Sequence, residues 1–434
     1  MQGLIHNEQL KGHRAAVLGA GRSGLSAAAL LKALGAHVRI LEQKTDFDPG
    51  LLKAKNLEDA DLVLGAHQAE HLRDRELIVV SPGIPWSRIQ ELCPAHAMVV
   101  SELELASWFL AEPILAVTGT NGKTTTCMLI SHVLEKTGRK VFTGGNIGTP
   151  LSDYVLAGDN ADILVLEVSS FQLQGCSGFK PNAGVLLNFS ANHLDQHQSE
   201  QEYFLAKMRL FSRQSPDHLA ILPLELKDSL EGSGLLPGKR AYFAPANRFS
   251  CPALPGEHNQ ANLEAAFLAC RFFGIQEKDF AKNIQDFTPP QHRQEVFLVR
   301  DGITYVNDSK ATTLEAMAAA LNAFDRPIRL LAGGKYKGGD FSQLAPLIRT
   351  KAAKVYLFGE SKEIFESAWG DQVQTEYFPG LEQAAQKAVQ EAKAGECVLL
   401  SPGTSSFDLF SDYQARGEAF KDSIIRCLGQ SENK

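Results

Sequence analysis

Residues 117–126, VTGTNGKTTT, constrain this chain more than any other stretch. The apolar run PILAVTG leads in and reads as a buried strand. TTTCMLISHVLEKTG follows with helical spacing and a glycine stop at Gly138. Strand, glycine-rich turn and helix together aim backbone N–H groups and a helix N-terminus at one point, which suits an anion. Gly119, Thr120, Asn121, Gly122, Lys123, Thr124 and Thr125 form the turn and the helix start. Lys123 is placed to reach β/γ-phosphates, and the Thr124 hydroxyl to bind Mg²⁺. The usual spacing, G-x-x-x-x-G-K-[ST], puts Val117 where the first glycine belongs, so this loop is a compressed form. An ordinary strand–turn–helix corner is the alternative, and the placement between strand and helix favours phosphate binding.

Strands and helices alternate around this point, which predicts an α/β chain. In the first block RAAVLGAG, HVRILEQ, DLVLGA, ELIVVSPGI and AMVVS read as strands and SGLSAAALLKALG as a helix, a small doubly wound, Rossmann-like domain. SELELASWFLAEP crosses into a second block with ADILVLEVSSFQL, NAGVLLNFS and helices around 200–213 and 258–273. Pro289-Pro290 ends it. The third block carries the strands ITYVNDS, IRLLAGG, KVYLFG and CVLLSPG. Three domains result: 1–101, a central ATP-binding domain 102–289, and a Rossmann-like 290–434. With 434 residues the chain is long enough for all three. A net charge of −7 argues against a broad nucleic-acid surface. The 7 cysteines are scattered without a C-x-x-C pair, as in a reduced, cytoplasmic protein without a zinc site. No apolar run spans a bilayer, and the N-terminus lacks the apolar stretch of a signal peptide.

Other motifs carry chemistry. Gly19-Ala20-Gly21-Arg22-Ser23-Gly24 matches G-x-G-x-x-G, and Glu42 ends the next strand where a ribose-binding acid belongs. A nicotinamide dinucleotide, another nucleotide such as a UDP group, or plain helix–strand packing would each account for it. Glu167 closes the run LEVSSFQL. If its strand neighbours that of the phosphate loop, it can bind Mg²⁺; an exposed strand-end acid is the alternative. Asn146 lies in the glycine-rich turn GGNIGTP, and NHLDQH groups His193, Asp195 and His197. Ser199 and Glu202 then predict a capping box, with Phe204, Lys207, Met208 and Phe211 as the core stripe of the helix. A lysine in that stripe either snorkels or has its nitrogen held in a protected site. Asn259 and Asn262 mark a helix start, where capping explains one of them and adenine recognition could use the other. His292 and Arg293 sit at the last domain joint. Asp308, Ser309, Lys310 and Thr312 crowd one strand end, and LSPGTSSFDLFSDYQARG loads another with hydroxyls.

Together GTNGKTT, GGNIG, EVSSFQL, HRQE and NDSKAT resemble the Mur ligase family, ATP-dependent amide-forming enzymes of peptidoglycan synthesis, and within it the D-glutamate-adding members. The compressed phosphate loop is that family's form. The resemblance implies that the first domain takes the UDP end of UDP-MurNAc-L-Ala through Arg22, Ser23, Glu42, Ser81 and Gly83, with Asn146 and His193 meeting substrate and metal. It implies ATP at residues 119–125, with Asn262, Arg293, Asp308 and Lys310 also on the nucleotide. Two Mg²⁺ ions would use Thr124, Glu167, His193 and a carbamylated Lys207, which carries CO₂ as a lysine carbamate. D-Glutamate would meet Thr312, Lys337 (in preference to Lys335), Ser406 and Tyr413. Asn192, Thr313 and Tyr413 depart from the family pattern, where an acid, an asparagine and a phenylalanine are usual. A monomer with small-molecule substrates, no nucleic acid and a hinge near residues 287–292 is expected.

The chemistry follows from need. A carboxylate acylates poorly because its oxygen leaves poorly. Phosphorylation by ATP makes an acyl phosphate, and an amine then displaces phosphate. A folylpolyglutamate synthase-like ligase is one rival, but it has no place for the first domain. A dehydrogenase or nucleotide sensor is the other, and it leaves Lys123, Lys207 and NDSKAT unexplained.

Overall fold

A computed structural model of the chain describes residues 10–82, 84–189, 199–254, 257–324, 326–336 and 338–430. The predicted residues Gly83, Asn192, His193, Asp195, His197 and Lys337 lie outside the described residues. The described chain forms two compact units. One holds the residues up to Ala244 together with Asn262–Asn283, and the other holds Pro245–Ala261 and the residues from Ile284 on.

The first unit contains two sheets. Strands β1 (Arg14–Leu18), β2 (His37–Glu42), β3 (Asp61–Leu64), β4 (Leu77–Val80) and β5 (Met98–Ser101) form a parallel sheet in the order 3-2-1-4-5. Strands β6 (Ile114–Thr118), β7 (Val141–Gly145), β8 (Ile163–Glu167), β9 (Ala183–Leu186), β10 (Leu219–Pro223) and β11 (Lys239–Phe243) form the second, in the order 11-10-9-6-8-7, also parallel. The central strands are buried along their whole length and read as continuous apolar runs, as parallel strands covered on both faces must. One apolar cluster runs through both sheets, from Val17 and Leu30 to Leu166 and Phe211. Two ties reinforce it: Ser101 N donates to Gly175 O at 3.0 Å, and Lys55 pairs with Asp153 at 2.6 Å.

The second unit holds β12 (Glu295–Arg300), β13 (Ile303–Asn307), β14 (Ile328–Gly333), β15 (Ala352–Phe358), β16 (Thr375–Phe378) and β17 (Cys397–Leu400), in the order 12-13-17-14-15-16. Only β12 is antiparallel. Apolar clusters cover both faces.

Every strand named from the sequence is present. The sequence reading passed over β7, β10, β11, β12 and β16. The strands β7, β11, β12 and β16 are sheet edges with mixed burial, so the apolar run that marks a central strand is absent. The internal strand β10 is buried after the half-buried Leu219, and it ends in Pro223, a residue that reads as a strand breaker. The helix bearing Lys207 spans Glu200–Met208, shorter than expected. Of the predicted stripe, Lys207, Met208 and Phe211 are buried and Phe204 is half-buried against the core, while Tyr203 and Ala206 add to the buried side.

Candidate active site

Parallel pairing of β6 with β8 sets Val117 opposite Glu167, so the acid ending β8 lies beside the loop that follows β6. The condition attached to Glu167 in the sequence is therefore met, and the residue is buried. Thr124 Oγ1 donates to Glu167 Oε2 at 2.5 Å, and Asn146 Nδ2 donates to Glu167 Oε1 at 2.8 Å. The Asn146 main-chain N–H also reaches Glu167 O at 2.8 Å. One carboxylate thus joins the phosphate loop to the GGNIG turn.

The loop enters the helix Lys123–Lys136 through Gly122, whose φ is +82°. A Cβ there would be strained, and it would stand 2.8 Å from Asn262 Oδ1. Asn262 therefore lies against the loop. The helix carrying it begins at Glu257, so Asn262 falls in the second turn and Asn259 in the first; neither is the cap that the sequence suggested. Lys123 folds back over the loop, donating to Gly119 O at 3.0 Å and Thr120 O at 2.8 Å. Thr125 is half-buried.

Lys207 is 1% exposed. Its Nζ also donates to Gly119 O, at 3.0 Å, and lies 4.3 Å from the Tyr203 ring centroid. It does not snorkel. Burial, and then the neighbouring charge of Lys123, hold its amine well below the ordinary lysine range. Ser199 Oγ accepts from Glu202 N at 3.1 Å and so caps this helix, while the Glu202 carboxylate accepts from Gln174 Nε2 at 2.9 Å.

Sequence reading missed Asn188. Two residues past β9, its Oδ1 accepts from Thr120 N at 3.1 Å and Asn121 N at 2.9 Å. The signal was a lone polar residue directly after the buried run GVLL, on a strand that neighbours β6.

In the first glycine-rich turn, Glu42 Oε2 accepts from Ala20 N at 2.8 Å and its Oε1 from Lys44 N at 3.0 Å. Ser81 Oγ donates to Gly19 O at 2.9 Å. Gly24 permits the close packing of helix on turn, since a Cβ there would lie 1.9 Å from Gly19 O. Arg22 Nη1 donates to Gly148 O at 2.6 Å, tying this turn to the one that carries Asn146. Ser23 is half-buried.

In the second unit, the carboxyl ends of β13, β14 and β17 are adjacent. Asp308, just past β13, accepts from Ser401 Oγ at 2.9 Å and Gln294 N at 3.1 Å. Burial nevertheless pushes its carboxyl up to about 7. Arg293 Nε is buried and makes no hydrogen bond among the described residues. Lys310 Nζ donates to Tyr413 Oη at 3.2 Å, and Ser406 is buried at the end of the β17 loop. Thr312 is half-buried. Thr313, one of the departures from the family pattern, caps the helix Leu314–Asn322 by accepting from Ala316 N at 3.3 Å. Sequence reading also missed Arg416, which is fully buried. Its guanidinium reaches Ser309 Oγ and O at 3.0 and 2.8 Å, Ser405 O at 3.1 Å, Thr404 O at 3.1 Å and Gly333 O at 3.3 Å.

Comparison with known protein families places this geometry. Residues 13–101 match the MurD-like N-terminal domain of Mur ligases, 117–234 the Mur ligase middle domain, and 292–403 the Mur ligase glutamate ligase domain. The chain is 47% identical over 421 residues to a UDP-N-acetylmuramoylalanine--D-glutamate ligase of Nitratidesulfovibrio vulgaris strain DP4, covering 95% of this chain and 96% of that one. The chain belongs to the Mur ligase family. A second such ligase, from Oleidesulfovibrio alaskensis, is 46% identical over 94% of this chain and 93% of its own. Among solved structures, the MurF ligase of Thermotoga maritima in complex with ADP superimposes with a TM-score of 0.63 at 18% identity, over 91% of this chain and 96% of that one. That likeness shows the three-sheet Mur ligase fold.

Proposed function

We propose that this Mur ligase joins D-glutamate to the L-alanine carboxylate of UDP-N-acetylmuramoyl-L-alanine, using ATP, in the cytoplasmic synthesis of peptidoglycan precursors. The observation that carries the reading is the near-complete alignment with ligases of that name, 47% identical over 95% of the chain. The gathering of Lys123, Thr124, Glu167 and Lys207 around one loop supports it.

The residues fit ATP with Mg²⁺. Thr124 and Glu167 offer hard oxygen donors 2.5 Å apart beside a helix N-terminus. Among the described residues no three His, Cys, Asp or Glu side chains form a metal cluster. The set proposed here is the one the family resemblance implies: the Thr124 hydroxyl, Glu167, His193 and a carbamylated Lys207. Bound there, the metal would neutralise charge on the phosphates.

The chain's own groups divide the remaining work. Lys123 meets the β/γ-phosphates, and Asn262, Arg293, Asp308 and Lys310 hold the nucleotide. Arg22, Ser23, Glu42, Ser81, Gly83 and Asn146 hold the UDP substrate. Thr312, Lys337, Ser406 and Tyr413 receive D-glutamate. The alanine carboxylate attacks the γ-phosphorus and ADP leaves. The D-glutamate amine then attacks the acyl phosphate, loses a proton, and phosphate departs as the amide forms. The acyl phosphate must be kept from water while the amine attacks. We read the working enzyme as a monomer with no nucleic-acid partner. Among the described residues no helix is long and apolar enough to cross a membrane.

The test is phosphate release from ATP with UDP-MurNAc-L-Ala present and one amino acid added at a time. D-Glutamate alone should stimulate it. Equal stimulation by L-alanine or a diamino acid would reject the assignment.

A further inference from the structure

The phosphate loop is too short to support itself in the usual way. In a full-length loop, successive backbone N–H groups wrap around the phosphate and hold the turn open. Here two of those groups point elsewhere. Thr120 N donates to both the main-chain oxygen and the side-chain Oδ1 of Asn188, at 3.2 and 3.1 Å. Asn121 N donates to the same Oδ1 at 2.9 Å. Asn188 Nδ2 completes the clamp by donating to Asn121 O at 3.2 Å. One carboxamide thus serves two donors and one acceptor of the loop.

The fold puts Asn188 there. Strands β9 and β6 are parallel neighbours, and Leu187 N continues their ladder by donating to Thr118 O at 3.0 Å. One residue later the strand spacing opens and the Asn188 side chain spans the gap. The segment that follows a neighbouring strand thereby holds the loop in shape. What remains for phosphate is the helix N-terminus beginning at Lys123, with Lys123 and Thr124 themselves.

We propose that Asn188 is the positioning residue of the nucleotide site: its carboxamide holds residues 119–122 in the binding shape before the nucleotide arrives. It touches neither substrate nor reacting atoms and acts through the loop. The side chain must offer an acceptor and a donor at this reach. Alanine offers neither, and aspartate keeps the acceptor, loses the donor and adds a charge beside the phosphates. The inference rests on the reading that this loop binds ATP, and the test separates the two.

The experiment titrates the full-length protein with Mg-ATP and, separately, with UDP-MurNAc-L-Ala, as wild type and as Asn188→Ala and Asn188→Asp. Asn188→Ala should weaken ATP binding at least tenfold while UDP-substrate binding stays within twofold. In turnover, KM for ATP should rise at least tenfold and KM for D-glutamate should stay within twofold. ATP binding within twofold of wild type would overturn the proposal. So would equal weakening of both ligands, which marks general damage to the packing. Should Asn188→Ala fail to fold, Asn188→Asp is judged by the same pair of constants, with the same weakening of ATP alone expected. Wild-type protein that binds no ATP would instead remove the reading underneath.

Discussion

Lys123 and Lys207 both donate to the carbonyl oxygen of Gly119, each at 3.0 Å. Two amines on one oxygen cannot both carry a full charge at low cost, and Lys207 is the buried one. Burial and then the charge of Lys123 lower its pKa, which favours the neutral amine that can add CO₂. A carbamate formed there would be an anion with oxygen donors, which Mg²⁺ prefers. Activity should fall in CO₂-depleted buffer and return with bicarbonate. Lys207→Arg should be as inactive as Lys207→Ala, and ¹³C-bicarbonate should give a carbamate NMR signal absent from both. A fully active Lys207→Arg would leave Lys207 as a buried structural lysine.

The turn at residues 19–24 is predicted to bind uridine nucleotide and not a nicotinamide cofactor. Arg22 links it to Gly148, two residues from the Asn146 that contacts Glu167. A ligand bound at the first turn would lie on a chain of contacts that leads to the phosphate loop. Calorimetry should show binding of UDP-MurNAc-L-Ala and none of NAD, NADH or NADPH. Arg22→Ala should weaken UDP-substrate binding by about tenfold, the loss of one charge-assisted contact. Nicotinamide binding without UDP-substrate binding reverses the assignment.

Arg416 is predicted to organise the amino-acid pocket. It gathers the loops after β13, β14 and β17 through Ser309, Gly333, Thr404 and Ser405, next to Ser406. Arg416→Met would take a hydrogen bond from four carbonyl oxygens, of which Ser405 O keeps Lys335 N as a donor, at roughly 1–3 kcal/mol for each one left unsatisfied before relaxation. Thermal unfolding should shift down by several degrees, and KM for D-glutamate should rise by about tenfold or more. A folded Arg416→Met with unchanged KM would confine the residue to stability.

Glu102 sets a pH prediction. The residue is 1% exposed; one oxygen accepts from Ser152 N at 2.6 Å and the other has no hydrogen-bond partner among the described residues. Burial pushes its carboxyl up to about 7; the Ser152 N–H partly opposes this, and nearby Asp153 adds to it. A folded pKa above the unfolded value of about 4.3 means that the folded state binds the proton more tightly. Its stabilising contribution is complete below about pH 4.3 and is lost as pH rises through about 7. Glu102→Gln keeps the shape without the charge. It should flatten that decline and raise stability near pH 8 by a few kcal/mol. Urea melts at several pH values measure it, and parallel profiles for mutant and wild type would refute it.

The sequence by itself determined the local units. GTNGKTT, GAGRSG and NDSKAT each carry their conformation within a few residues, because turn glycines, caps and apolar periodicity act over that range. The strand runs of the three sheets were legible for the same reason, as were Glu167 and Lys207 as polar residues at the ends or in the midst of apolar stretches. Edge strands were not, because an edge needs no continuous apolar run. Only the tertiary structure decided which local units meet. Glu167 became a partner of Thr124 when β8 was placed beside β6, 43 positions away in the chain. Asn188 and Arg416 gained their roles the same way, across separations of 67 and 107 residues. The polar residue that ends GVLL is visible in the sequence, but its partner is not, because Asn188 and Arg416 each satisfy the backbone of a different segment, and strand order brings that segment within hydrogen-bond reach.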